Sequence, residues 1–176
     1  MSLFSARPRL TGLVLAAVIY WVDQWIKRMV AGPWGLREIG DHLPLLPFFD
    51  LTRTHNYGVS LGMLTATSME MRWGLVALTA LIATVVLAWM LREKVLGEIV
   101  PLGMVLGGAL GNIHDRVRFG YVLDYADFHI GDFRPFLIFN LADAAITIGV
   151  VIILARSFLI REKTEQQPAG APASEN

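Results

Sequence analysis

Trp73-Gly-Leu-Val-Ala-Leu-Thr-Ala-Leu-Ile-Ala-Thr-Val-Val-Leu-Ala-Trp-Met-Leu91 contains no charged residue and offers water only two hydroxyls. At a rise of about 1.5 Å per residue, its roughly 19 residues nearly match a hydrocarbon core about 30 Å thick. A stretch apolar on every side has no face for water, so it reads as a membrane-spanning helix and sets the solvent for the chain. Composition agrees. Of 176 residues, 55% are hydrophobic and only 17% charged, against roughly 25% charged in a soluble domain. The length allows one domain.

Working outward, three more stretches are mainly apolar. Pro135–Ala155 is as long as the first but carries Asn140 and Asp143. Leu10–Val30 is apolar up to Val22 and is then interrupted by Asp23, Lys27 and Arg28. Ile99–Ile113 is short for a span and has to borrow from Val95 onward. The expected fold class is therefore an all-α integral membrane protein with four transmembrane helices. Arg7 and Arg9 ahead of the first stretch have the look of a secretory leader, but no small-x-small cleavage site follows, so a retained helix is expected. Arg7, Arg9, Arg92, Lys94, Arg156, Arg161 and Lys163 crowd the helix ends on one side, which argues for cytoplasmic termini.

The segments Gly32–Arg72 and His114–Arg134 then face outward and are too long for plain connectors. Phe48–His55 mixes aromatic and β-branched residues ahead of an Asn56-Tyr57-Gly58 turn, and Gly120–Ile130 also reads as extended, so the two are expected to pair in a small sheet. Trp34, Pro44, Leu45, Leu46, Pro47, Phe48 and Phe49 are too apolar for a freely solvated loop; an interfacial platform and mobile cover is expected there, with Gly58 and Gly62 as pliable points. Residues 162–176 are polar and rich in Pro and Ala, predicting a disordered cytoplasmic tail beyond a single membrane-embedded domain over 1–161. No internal repeat is apparent.

With no cysteine in the chain, a thiol nucleophile, a disulfide framework and Cys-ligated metal centres are excluded. The 15 Lys and Arg balance 15 Asp and Glu without clustering, so no nucleic-acid partner is expected. His42, His55, His114 and His129 show no metal-ligand spacing, so neither metal nor cofactor is expected.

Asn140 and Asp143 lie three residues apart, on one helical face, and an ionisable group within a span is either helix glue or a functional group. Two carboxyls about 3 Å apart cannot both ionise, so such a pair holds one proton and can act as base and acid together. The partners available to Asp143 are Asp41, Asp50, Asp115, Asp124, Asp127 and Asp132. Asp115, followed by Arg116 and three residues after Asn112, suits an ion-paired cluster, and Asp132 sits in a Gly-Asp turn. Asp124 and Asp127 point to opposite faces of an extended segment, and Asp124, between Leu123 and Tyr125, is preferred. Gly103, Gly107 and Gly111 form a stripe suited to close helix packing. Asp23 and Lys27 form an i, i+4 pair. Two other classes compete: a serine–lysine peptidase using Ser60 and Lys27, opposed by the pairing of Lys27 with Asp23, and a proton-coupled transporter using Asp143 and Asp23, opposed by the lack of an inverted repeat.

Taken in order, Asp23-Gln-Trp-Ile-Lys27, Asn56-Tyr-Gly58, Gly107-Gly-Ala-Leu-Gly-Asn112-Ile-His-Asp115-Arg116, Val122-Leu-Asp124-Tyr and Phe139-Asn140-Leu-Ala-Asp143 resemble the blocks of the bacterial lipoprotein signal peptidase family, signal peptidase II. The resemblance implies an intramembrane aspartic endopeptidase of the inner membrane with its active site at the periplasmic side. Four helices, a small periplasmic β-cradle and an interfacial helix from the first loop belong to that picture. It implies Asp124 and Asp143 as the catalytic dyad and Asn112 and Asn140 as supporting polar groups. It also implies Asp115 and Arg116 as a structural and substrate-proximal cluster, Asn56 on the loop flanking the cleft, and Asp23 with Lys27 as a structural pair. The implied partners are membrane lipid and diacylglyceryl-modified prolipoproteins, cut just before the lipidated cysteine by a monomer without cofactor. Globomycin-type inhibitors would fill the space between the first loop and the dyad. One departure is local: after Asn-x-Gly the family has a small residue and then Phe, where this chain has Val59-Ser60-Leu61.

Overall fold

Helix α3 (Leu96–Phe119) packs against all three other helices, α1 (Pro8–Ala31), α2 (Met69–Arg92) and α4 (Leu141–Glu165), in a computed structural model that describes residues 8–59, 64–65 and 69–165. Its glycines make this possible. A Cβ on Gly103 would lie 2.7 Å from the Gly12 carbonyl oxygen, one on Gly107 2.6 Å from that of Ala16, and one on Gly111 2.7 Å from Asp23 Oδ2. The stripe read from the sequence is thus the α1–α3 seam, where backbones meet without side chains between them. Gly108 faces the Ala142 carbonyl of α4 in the same manner, and Gly149 answers from α4 against Pro101.

Helices α2 and α3 and the Leu141–Leu159 part of α4 are long and apolar enough to cross a membrane. On α2, Leu78, Leu81, Ile82 and Val85 stay exposed, which suits lipid as their neighbour. Helix α1 is equally long, yet it buries Asp23, Gln24 and Lys27 in the bundle and is not among those three. One apolar cluster, built on Ala16, Ala83, Met90, Ile99, Leu102 and Leu106, joins α1, α2 and α3.

A three-stranded antiparallel sheet, ordered β1 (His42–Leu46), β2 (Phe49–Asn56) and β5 (Val122–Phe128), joins the two long loops as expected. Phe49 lies opposite Phe128 and Asn56 opposite Val122, with a bulge in β2 between Leu51 and Thr54. β3 (Gly58–Val59) and β4 (Leu64–Thr65) form a separate short pair. A second apolar cluster of Val30, Leu36, Leu51, Leu123, Tyr125 and Ala126 seats the sheet on the end of α1.

Several expectations need correction. Helix α3 is not confined to Ile99–Ile113: Asn112, Asp115 and Arg116 are buried against neighbouring elements, so polar residues do not end it. It stops at Gly120, whose φ of 86° suits glycine and whose N–H bonds Arg116 O at 3.1 Å. The last helix begins at Leu141 instead of Pro135, because Phe139 exchanges backbone hydrogen bonds with Ala126 and keeps the preceding residues extended. Asp143 consequently lies in the first turn of its helix, not two turns within it. At the far end α4 continues to Glu165, into the stretch that composition assigns to a tail; residues 166–176 lie outside the described residues. The first loop holds no helix among its described residues, since β-branched and aromatic residues there are taken up by strands. The Phe48 region adjoins β5: β2 is hydrogen-bonded along it, and the His129 N–H donates to Phe48 O at 3.1 Å. Gly62 and Ser60 lie outside the described residues.

Candidate active site

Helix α4 begins within the protein, where free backbone N–H groups are costly. The Asp143 N–H donates to Asn140 Oδ1 at 2.9 Å, and the Asn140 N–H donates to Asp143 Oδ2 at 3.2 Å. This is a reciprocal capping box with Asn140 as the cap and Asp143 at its third helical position. The Leu141 N–H donates to the Tyr125 hydroxyl at 3.1 Å and the Ala142 N–H to Asp23 Oδ1 at 3.1 Å. Four successive donors therefore end on side chains drawn from three elements.

The same turn is fixed to β5. Tyr125 and Ala126 N–H groups both donate to Phe139 O, at 3.0 and 2.7 Å. With Phe139 held, Asn140 reaches β5 and donates from Nδ2 to Asp124 Oδ1 at 2.6 Å. One residue thus bonds both carboxyls, Asp124 through its side chain and Asp143 through its backbone. Asn112 Nδ2 donates to Asp143 Oδ1 at 2.8 Å, and Asn56 hydrogen-bonds Asp124 from β2. Asp124 is 2% exposed. Burial first, and then the nearby charge of Asp143, raise its carboxyl to about 7, while the bonds from Asn56 and Asn140 oppose the rise.

A second layer backs this pair. Lys27 Nζ lies 2.7 Å from Asp23 Oδ2 and 2.9 Å from Asp115 Oδ2, and donates to Asn112 Oδ1 at 3.4 Å. That bond turns the Asn112 amide so that its NH2 group faces Asp143. Arg116 Nη2 donates to Gly58 O at 2.9 Å and holds the Asn56-Tyr57-Gly58 turn, in which the Gly58 N–H donates to Asn56 Oδ1 at 3.0 Å.

The structure brings together Asp23, Lys27, Asn56, Asn112, Asp115, Arg116, Asp124, Asn140 and Asp143. It turns Asp127 elsewhere, to Arg134 Nε at 3.0 Å and the Thr52 hydroxyl at 3.0 Å. Asp115 meets Lys27 and not Asp143. Among the described residues no group of three or more His, Asp or Glu is arranged to hold a metal ion. Sequence reasoning missed Gln24, whose Nε2 donates to Asp115 Oδ1 at 2.9 Å, although an amide beside Asp23 in an apolar helix was a signal. It also missed the Tyr125 hydroxyl, which nothing in a strand pattern reveals.

Residues 15–159 match the family model described as Signal peptidase (SPase) II. The chain belongs to the signal peptidase II family. Relatives named lipoprotein signal peptidase include that of Sphingopyxis alaskensis, 51% identical over 158 residues covering 90% of this chain and 91% of the relative. That of Rhizorhabdus wittichii is 55% identical over 151 residues, covering 86% and 87%. Two solved bacterial membrane enzymes have a similar fold. One has a TM-score of 0.76 at 27% identity, covering 92% of this chain and 94% of its own. The other has a TM-score of 0.71 at 30% identity, covering 83% and 91%. The signal peptidase II resemblance read from the sequence blocks is thereby confirmed, and with it a protease family whose member here carries membrane-spanning helices.

Proposed function

We propose that this membrane-embedded member of the lipoprotein signal peptidase family removes signal peptides by aspartic chemistry, cutting diacylglyceryl-modified prolipoproteins immediately before the lipidated cysteine. Asp124 and Asp143 are the catalytic residues. The observation that carries the reading is the pair of hydrogen bonds by which Asn140 holds both carboxyls, with Asp124 raised to about 7. Near neutral pH Asp124 keeps the proton the pair shares. Asp143 takes a proton from water as its oxygen adds to the scissile carbonyl, and Asp124 protonates the carbonyl oxygen. From the tetrahedral adduct the C–N bond breaks and the leaving amine takes up a proton from the pair. No acyl-enzyme forms.

All four helices span the inner membrane in this reading, with both termini cytoplasmic and the sheet periplasmic. Helix α1 spans although it is polar at one end, because Asp23, Gln24 and Lys27 are satisfied by Asp115, Gly111 and Ala142 and not by lipid. A lipidated substrate enters sideways with its acyl chains still in the bilayer, and globomycin-type inhibitors compete for that space. The enzyme works as a monomer over residues 1–161. The test is cleavage of a diacylglyceryl-modified prolipoprotein by the purified full chain, with the new N-terminus mapped by mass. Wild type should release a product beginning at the lipidated cysteine, and Asp124→Asn and Asp143→Asn should release none. Turnover by either variant overturns the dyad.

A further inference from the structure

Tyr125 is the residue the chemistry above leaves unused, although it stands beside Asp124 in the sequence. Its ring is 6% exposed and packs with Val30, Leu36, Leu51, Leu123 and Ala126, so the position of its hydroxyl is set by the core beneath the sheet. That hydroxyl accepts the Leu141 N–H at 3.1 Å. Leu141 is the first residue of α4, Asp143 lies two residues later in the same turn, and Asn140, which bonds both carboxyls, directly precedes it. A strand places successive side chains on opposite faces, so Asp124 and Tyr125 leave β5 in different directions. They nevertheless converge on one helical turn, Asp124 on Asn140 and Tyr125 on Leu141.

We propose that Tyr125 is a positioning residue of the peptidase, its hydroxyl clamping the first turn of α4 to β5 so that Asp143 is held at the distance from Asp124 at which one proton is shared. The inference rests on the dyad reading. The backbone bonds of Tyr125 and Ala126 with Phe139, the Asn140 amide on Asp124 and Leu123 O, and this hydroxyl join β5 to the start of α4, while Asp23 and Asn112 hold the same turn from α1 and α3. The first two ties stop at Phe139 and at the cap; of these ties from β5, the hydroxyl is the one that grips α4 itself. Burial, followed by the charge of Asp23, raises the phenol above its ordinary value, so it stays neutral and serves through its oxygen. Lengthening the separation between the carboxyls weakens their repulsion, so losing the clamp lowers the pH at which the pair gives up its shared proton. The other charged groups facing the pair are Asp23 and Lys27 of α1 and Asp115 and Arg116 of α3, and substitution of Tyr125 leaves all four in place.

The experiment uses the full chain in detergent micelles with a diacylglyceryl-modified prolipoprotein. Tyr125→Phe keeps the ring and removes the hydroxyl. The expected result is a kcat lower by about tenfold per folded molecule, KM within about twofold of wild type, and an alkaline limb of the pH–rate profile moved to lower pH by about half a unit. Tyr20→Phe, which removes a hydroxyl bonded to His114 Nδ1 at 2.7 Å on the α1–α3 surface, should leave all three unchanged. Incorporating 3-fluorotyrosine at position 125 weakens the oxygen as an acceptor without removing it, and should give a smaller shift in the same direction should the Phe variant not fold. Unchanged kcat and pH limb in the folded Phe variant, an unmoved limb with fluorotyrosine, or an equal effect from Tyr20→Phe each overturn the proposal. Asp124→Asn in the same assay separates the two ideas. If it turns over, the dyad reading falls; if it is dead while Tyr125→Phe equals wild type, only the clamp falls.

Discussion

Asn140 shows how much one amide can organise. It caps α4, bonds Asp124 and presents its own N–H to Asp143, so Asn140→Ala should both destabilise the protein and misplace the pair. Leaving one buried N–H unpaired costs about 1–3 kcal/mol, measurable as a lower midpoint of thermal unfolding in micelles. The carboxyls themselves behave differently. Asp124→Asn and Asp143→Asn should each abolish detectable cleavage, a fall in kcat of more than about 10⁴-fold, and the double variant should be little worse than either, because residues acting as a unit are not additive. The pH dependence follows from Asp124. Since it holds the shared proton only below about 7, the rate should decline as pH rises through that value. The stability effect has the same sign: an unfolded chain releases this proton near 3.8, so the carboxyl favours the fold most at lower pH and the contribution is lost as pH rises toward about 7. Unfolding midpoints measured across pH 4 to 8 would check this against Asp124→Asn, in which that part of the slope should vanish. At this scale the site was largely legible, because Asp, Asn and Lys inside apolar stretches stand out. Alternation put Asp124 and Asp127 on opposite faces without deciding which one meets Asn140, and the roles of Tyr125 and Gln24 were not legible at all, since a hydroxyl or amide finds its partner only through tertiary contact.

Among the elements, α3 is the one whose sequence tolerates least. Gly107→Ala places a methyl 2.6 Å from a backbone oxygen of α1, and neither helix can yield locally. Overpacking of this kind costs typically about 1–3 kcal/mol. Gly74→Ala is the matched control, with nothing within 4 Å of the added Cβ; it should be neutral or stabilising by up to about 1 kcal/mol. Denaturation of the two variants side by side checks the contrast, and equal midpoints would show that the α1–α3 seam is not held at backbone contact. The glycine stripe pointed to close helix packing, and its partner, α1, emerges only from the fold. The helix limits were less legible. Pro135 and the apolar run after it satisfy every rule for a helix, yet Phe139 is claimed by the backbone of Ala126, a partner from another part of the chain. Among the described residues of the first loop the implied interfacial helix does not occur, because those residues fit a pleated surface and are taken up by strands.

For the whole molecule, the expected arrangement places both termini on the cytoplasmic side and the sheet outside. The absence of native cysteine makes the check direct: a cysteine at His42 in β1 should react with an impermeant maleimide in intact spheroplasts, and labelling only after lysis would reverse the orientation. The span at Trp73–Leu91 was plain from composition, whereas the Ile99–Ile113 stretch read as short and proves to belong to a helix, Leu96–Phe119, long and apolar enough to cross. The first helix is the hard case, as its polar residues look like the end of a span until their partners are known. Those partners are distant in the chain. Gln24 waits for Asp115, 91 residues later, and Asp23 for the Ala142 N–H, 119 residues later. During synthesis, then, α1 is expected to emerge with only the contacts among Asp23, Gln24 and Lys27 themselves to offset its polar end, and α2 supplies none of the further partners. On the four-span reading newly made α1 would be a marginal insert until α3 emerges, so chains truncated after Arg92 should be extracted from the bilayer or degraded faster than those reaching Phe119.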